Sequence, residues 1–308
     1  MTVELLLKDT TAYKILRGDR CTNKLSHAYI LHFQDPKNLK SALIMFALEF
    51  FGADKNSNLG QRILNGSYSD FRFYPAEDKK FAADSAAEII EDSALRPVEG
   101  SKKLYVICGF EQASALVQNK LLKTLEEPLE GIYFLLGACS LAPVLDTVKS
   151  RVKLLEIPPF SQQQIYEALE RKGHKEINAP ASASANGVLG VAENMAEGGW
   201  FKELTAAAEE ICGTVTVENA GEISAKYGDI KYKQELLCEM QRLYFTALTG
   251  GTGAAKNLQK STLVFALEKI NAAIADLKFN ANFSWLLYDF ILCVAGFEQR
   301  ARKAQDGN

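Results

Sequence analysis

The chain has 308 residues, 47% of them apolar and 24% charged, with a net charge of −3. That balance fits a globular protein of two or three domains of roughly 100–150 residues each. The charge argues against a strongly basic nucleic-acid clamp acting alone, while leaving room for DNA contact inside a larger, more basic assembly. Six cysteines (Cys21, Cys108, Cys139, Cys212, Cys238 and Cys293) stand far apart without a CxxC pair, a pattern of isolated thiols in a reducing compartment. Met1–Glu4 carries no basic segment leading into an apolar run. The apolar stretches 42–51 and 285–297 are interrupted by Glu49 and Asp289 and are too short to span a bilayer. A soluble cytoplasmic protein with no membrane partner is expected.

Along the chain, residues 1–158 read as an α/β segment. Apolar runs at 28–33, 71–74, 104–108, 132–138 and 152–157 have the length and β-branched or aromatic content of buried strands. Helical patterns at about 39–51, 82–95 and 114–127 separate them, which implies a parallel sheet covered by helices on both faces. Pro158-Pro159 then interrupts the chain, and Ser161 reads as the N-cap of a helix through Lys172. Residues 159–199 form a small helical domain with a loose stretch at 179–186. From 200 to 308 only helical periodicity remains, strongest at 200–213, 231–248, 257–277 and 282–299.

Strand 28–33 leads into Gln34-Asp35-Pro36-Lys37-Asn38-Leu39-Lys40-Ser41, the place of a GxxxxGK[ST] phosphate-binding loop. Lys40 and Ser41 fill the last two slots, but Gln34 and Leu39 replace the glycines. Backbone amides must curl round phosphate oxygens there, and Leu39 brings a Cβ where none fits. Lys40 then reads as a solvated lysine on a first helical turn. Strand 104–108 ends in Cys108-Gly109 where an ATPase of this layout carries its metal-holding acids. A thiol and a glycine do not supply the oxygen ligands magnesium requires. Glu111, three residues on, reads as surface charge. ATP hydrolysis by this chain is not expected.

On the helix 114–127, Leu121, Leu122 and Leu125 share one face, with Lys120, Lys123, Glu126 and Glu127 opposite, and Pro128 stops it. The polar face is either a salt-bridged surface or a subunit contact. Ser150-Arg151 follows a plausible helical turn, 143–149, and precedes the last strand. Arg151 is either a rim ion-pair partner or a finger for another subunit's phosphates, since its planar guanidinium can bridge two oxygens. His27 and His32 flank the first strand and read as structural.

Ser26–Tyr29, Asn119–Pro128 and Thr147–Arg151 together resemble the delta-prime subunits of bacterial DNA polymerase III clamp loaders. The likeness covers the first 160 residues well and continues more weakly through Asn186–Ala192 and a C-terminal helix. It implies an AAA+ module, with a RecA-like five-stranded parallel sheet and a small helical lid, followed by a helical collar at 200–308. It further implies a non-hydrolysing member of a hetero-pentamer with gamma/tau and delta subunits. Such a member meets the sliding clamp and primed DNA through the complex, and Arg151, with Ser150, would reach the neighbour's ATP. Many relatives carry four zinc-binding cysteines after the first helix; residues 52–70 contain none, so neither zinc nor another metal or cofactor is expected. Val152 stands where the family has a cysteine, and Gly190 where active relatives often carry an arginine. An AAA+ ATPase with an unconventional loop and a general DNA-binding replication factor are the competing readings.

Overall fold

In the computed structural model, which describes residues 2–75, 81–174, 178–251, 253–277, 279 and 281–306, the five apolar runs become five parallel strands. They are β1 (Ala28–Phe33), β2 (Phe71–Tyr74), β3 (Lys103–Cys108), β4 (Ile132–Ala138) and β5 (Lys153–Ile157), in spatial order β2-β3-β4-β1-β5. All the pairings are parallel. The central strands β1, β3 and β4 are buried along almost their whole length. Burial on both faces explains why their sequences run continuously apolar instead of alternating.

The chain divides into two units, Met1–Gly173 with Asn186–Val191, and His174–Ala185 with Ala192–Asn308. In the first, two short helices, α1 (Thr2–Asp9) and α2 (Thr11–Cys21), precede the sheet. They were not expected from periodicity; α2 buries only Ala12, Tyr13 and Leu16. Helix α3 (Pro36–Phe51) follows β1 and packs Leu43 against Gly137 on one face of the sheet. α4 (Asn58–Leu64) lies in the segment 52–70, where Ser57 caps it by accepting from the Gly60 amide at 3.0 Å. α5 (Ala83–Asp92) and α6 (Ala115–Glu126) cover the opposite face, where Ile89, Leu121 and Leu125 join Ile30, Tyr105, Ile107, Phe134 and Leu136. α7 (Asp146–Lys149) is the expected single turn before β5. α8 (Gln162–Arg171) begins at Ser161 with a reciprocal Ser161–Gln164 capping box.

The second unit is helical. It contains α9 (Asn178–Ser184), most of α10 (Leu189–Glu197), α11 (Gly199–Gly213), α12 (Ala220–Tyr227), α13 (Lys233–Leu248), α14 (Lys260–Leu277) and α15 (Phe283–Asp306). α9 corrects the loose stretch expected at 179–186: Pro180 falls in the first turn, where its missing N–H is not needed, and alanines favour the helix. Helix α13 packs against α11 and α14, and α15 against α12 and α14. Glu239 of α13, 1% exposed, accepts from Arg242 Nε at 3.0 Å and from the Ser184 hydroxyl. Among the described residues, no helix is long and apolar enough to cross a membrane.

Candidate functional site

At the β1–α3 corner the chain enters its helix directly after the strand. Residues 36–39, which would have to curl round a phosphate, form the first turn of α3 itself. Asp35 is its N-cap and is 1% exposed. Its carboxylate accepts from the Asn38 backbone N–H at 3.2 Å, from Asn38 Nδ2 at 2.8 Å and from the Gly190 N–H at 2.8 Å. A carboxylate thus sits at the positive end of a long helix, where free amides would otherwise attract an anion. Leu39, expected to block the loop, is instead a core residue at 3% exposure, while Gln34, Lys40 and Ser41 are exposed. Lys40 Nζ lies 5.8 Å from the centre of the Phe73 ring.

Gly190 gains a physical reason here. A Cβ at this position would overlap Asp35 Oδ1 and come within 2.7 Å of Lys37 Cβ. Only a residue without a side chain lets its amide reach Asp35 so closely.

Cys108 ends β3 and Cys139 follows β4. Burial pushes the Cys108 thiol up to about 11 and the Cys139 thiol up to about 12, and the nearby Glu111 carboxylate adds to both. Both are neutral at physiological pH, so they offer magnesium neither charge nor hard oxygen. Gly109 turns the chain with a left-handed φ of +69°. Glu111 corrects its expected place on the surface: it is half-buried, and Oε2 is sequestered without a hydrogen bond among the described residues. The short helical turn Phe110–Gln112 carries it inward because the buried Phe110 anchors that turn. The two thiols offer no hard oxygen here, and the Glu111 carboxylate beside them does.

A second corner lies at α6, α7 and the start of β5. α6 stops at Glu126, and Glu127 leaves helical space (φ −131°, ψ 66°) ahead of Pro128. Gln118, 1% exposed, ties α6 to the segment before α7. Its Nε2 donates to Ala113 O at 3.0 Å and Pro143 O at 3.1 Å, and its Oε1 accepts from the Leu145 N–H at 2.9 Å. Val144 and Val148 are buried in the same core as Leu121 and Leu125. Arg151 stands on that braced turn with its side chain 30% exposed. Its Nε donates to Glu126 Oε1 at 2.6 Å, and Nη2 pairs with the same carboxylate. Nη1 donates to Thr147 O at 2.7 Å and to Ser150 Oγ at 3.0 Å. Val152 packs on the edge of the core.

With both corners placed, comparison with known proteins gives a consistent answer. The family model described as "DNA polymerase III, delta subunit" matches residues 8–161, half of the chain. The chain belongs to this family. Within it, the DNA polymerase III subunit delta' of Bacillus subtilis (strain 168) is 27% identical over 162 residues, 51% of this chain and 49% of that protein. The subunit delta' of Haemophilus influenzae is 32% identical over 102 residues, 33% and 31% of the two chains. The alignments therefore span half or less of these relatives. A solved gamma-subunit-related protein from Thermotoga maritima aligns with 91% of this chain and 98% of its own at 14% identity and a TM-score of 0.43. The matched family segment holds Asp35, Glu126 and Arg151 and stops short of Gly190.

Sequence reasoning missed Asp35, Gln118 and the pairing of Glu126 with Arg151. Asp35 did carry a signal: an Asp directly before a proline, opening a helical pattern, is an N-cap signature. His27 and His32 sit at the two ends of β1, and His32 Nδ1 is 3.5 Å from Glu156.

Proposed function

We propose that this chain acts as a delta-prime-like subunit of a DNA polymerase III clamp loader that does not itself hydrolyse ATP. Its own phosphate corner is closed, and Arg151 serves the ATP held by an adjacent gamma/tau-type subunit. The observation that carries the reading is the Asp35 carboxylate capping α3. A phosphate entering there must displace a buried, three-way hydrogen-bonded anion and unwind a helical turn. Arg151, by contrast, sits at the surface on a turn braced from beneath by Gln118, Val144 and Val148. A guanidinium so placed can cross to a neighbouring subunit and bind two phosphate oxygens with parallel N–H bonds. Its positive charge would offset the charge that develops on the phosphoryl oxygens as the bond to the leaving group breaks.

On this reading the partners are gamma/tau and delta subunits in a hetero-pentamer, with the sliding clamp and primed DNA met through the complex. Residues 1–158, 159–199 and 200–308 serve as degenerate nucleotide-binding domain, lid and collar, and the chain needs no metal or cofactor of its own. The test is the clamp- and primed-DNA-stimulated ATPase of the reconstituted loader, comparing wild type with Arg151→Ala at equal assembly. Loss of such a finger lowers the rate at the served site by about 10³–10⁵. The total rate falls less, because other sites still turn over. An unchanged rate with assembly intact removes the finger from the account.

A further inference from the structure

We infer that Glu126 holds Arg151 in a parked position and that engagement of the neighbour's phosphate proceeds by exchange of that carboxylate. The inference rests on the finger reading above. A guanidinium has five N–H donors. Nε and Nη2 form the two-pronged edge that suits a carboxylate or a phosphate, and both already point at Glu126. The remaining terminal nitrogen, Nη1, is divided between Thr147 O and Ser150 Oγ. The edge that would grip a phosphate is therefore the edge that Glu126 occupies, and the two anions compete for it.

The hold is weak enough to exchange. The Arg151 side chain is 30% exposed and the Glu126 side chain 44%, so water screens the pair. Glu126 lies 25 residues from Arg151, at the last turn of α6, where its backbone is fixed by Pro128 on one side and by buried Leu125 on the other. The competing carboxylate is thus anchored at its backbone, and the pair opens by a swing of exposed side chains. A parked fraction lowers the apparent affinity of the finger for its target in proportion to the unparked population. Glu126 acts through Arg151 and is a positioning residue.

The experiment compares Arg151→Ala, Glu126→Gln and the double variant in the reconstituted loader, measuring ATPase with and without clamp and primed DNA. Glu126→Gln keeps the shape and removes the charge. It is expected to raise the unstimulated rate about two- to fivefold, the range an exposed ion pair allows, and so to narrow the gap to the stimulated rate. That gain must vanish when Arg151→Ala is added. Side-chain Nε–H resonances of Arg151 in the isolated chain give a second readout: restricted in wild type and mobile in Glu126→Gln. If Arg151→Ala lowers the rate but Glu126→Gln leaves it equal or lowers it, the parking role is overturned and the finger stands. If Arg151→Ala changes nothing, the finger reading itself fails. An Nε–H that is already mobile in wild type also overturns the parked state.

Discussion

The two corners of the N-terminal unit treat their charges in opposite ways. At the β1–α3 corner, Asp35 is sealed in and every carboxylate bond is made to groups of its own unit. At the α6–α7 corner, Arg151 is also hydrogen-bonded through all three of its side-chain nitrogens, but to partners that water reaches. A buried polar group that loses its partner carries the full cost of desolvation, whereas an exposed one falls back on water. The first corner is therefore locked by its energetics and the second is free to change partners. The charge is buried at one corner and screened by water at the other.

Substitutions at the buried corner give the largest expected effect. Asp35→Ala removes a helix cap and orphans amides of Asn38 and Gly190, at an expected cost of about 2–4 kcal/mol in urea denaturation. A loss below about 0.5 kcal/mol contradicts the locked corner. Next comes the brace beneath the exposed corner. Gln118→Leu is expected to cost about 1–3 kcal/mol, because Leu145 N–H and two carbonyls lose their partner. It also lowers loader ATPase by loosening the turn that carries Arg151.

An exposed pair elsewhere sharpens the contrast through pH. Hydrogen bonds from Arg62, then Ser69, bring the Glu99 carboxyl down from 4.5 to about 2. Its pKa is depressed in the folded state, so its contribution is complete above pH 4.5 and is lost as pH falls towards 2. The Tm difference between wild type and Glu99→Gln, followed against pH, should be present at pH 7 and shrink across that window. A difference independent of pH contradicts the ion-pair origin. The smallest effect belongs to Arg151→Ala, which should change stability by less than about 0.5 kcal/mol in the same denaturation assay. A larger loss makes Arg151 a structural residue.

Much of this architecture is legible in sequence, for a physical reason. The central strands, buried on both faces, are continuous apolar runs, so β1 and β4 fall where the pattern places them and β3 within a residue of it, and the more exposed edge strands β2 and β5 keep enough apolar residues to be placed as closely. Helices α1, α2 and α12 escape because they are short, 8, 11 and 8 residues, and two or three turns give a period little length in which to show. The phosphate corner is half legible. The wrong residues for a loop are plain at Gln34 and Leu39 and Asp35-Pro36 signals the N-cap, but the bond from the Gly190 amide to Asp35, across 155 residues, has no local signal. Arg151 is legible as a candidate, and its partner is not, because no local spacing links Glu126 to it. Pattern reveals elements; contacts between distant residues decide what a site does.

The most direct test sets the corners against each other in one assay, the stimulated ATPase of loaders built with either Lys40→Ala or Arg151→Ala in this chain. The account predicts that Lys40→Ala matches wild type while Arg151→Ala falls clearly at equal assembly. A fall with Lys40→Ala and none with Arg151→Ala would mean that this chain hydrolyses its own nucleotide, contradicting the account at its centre.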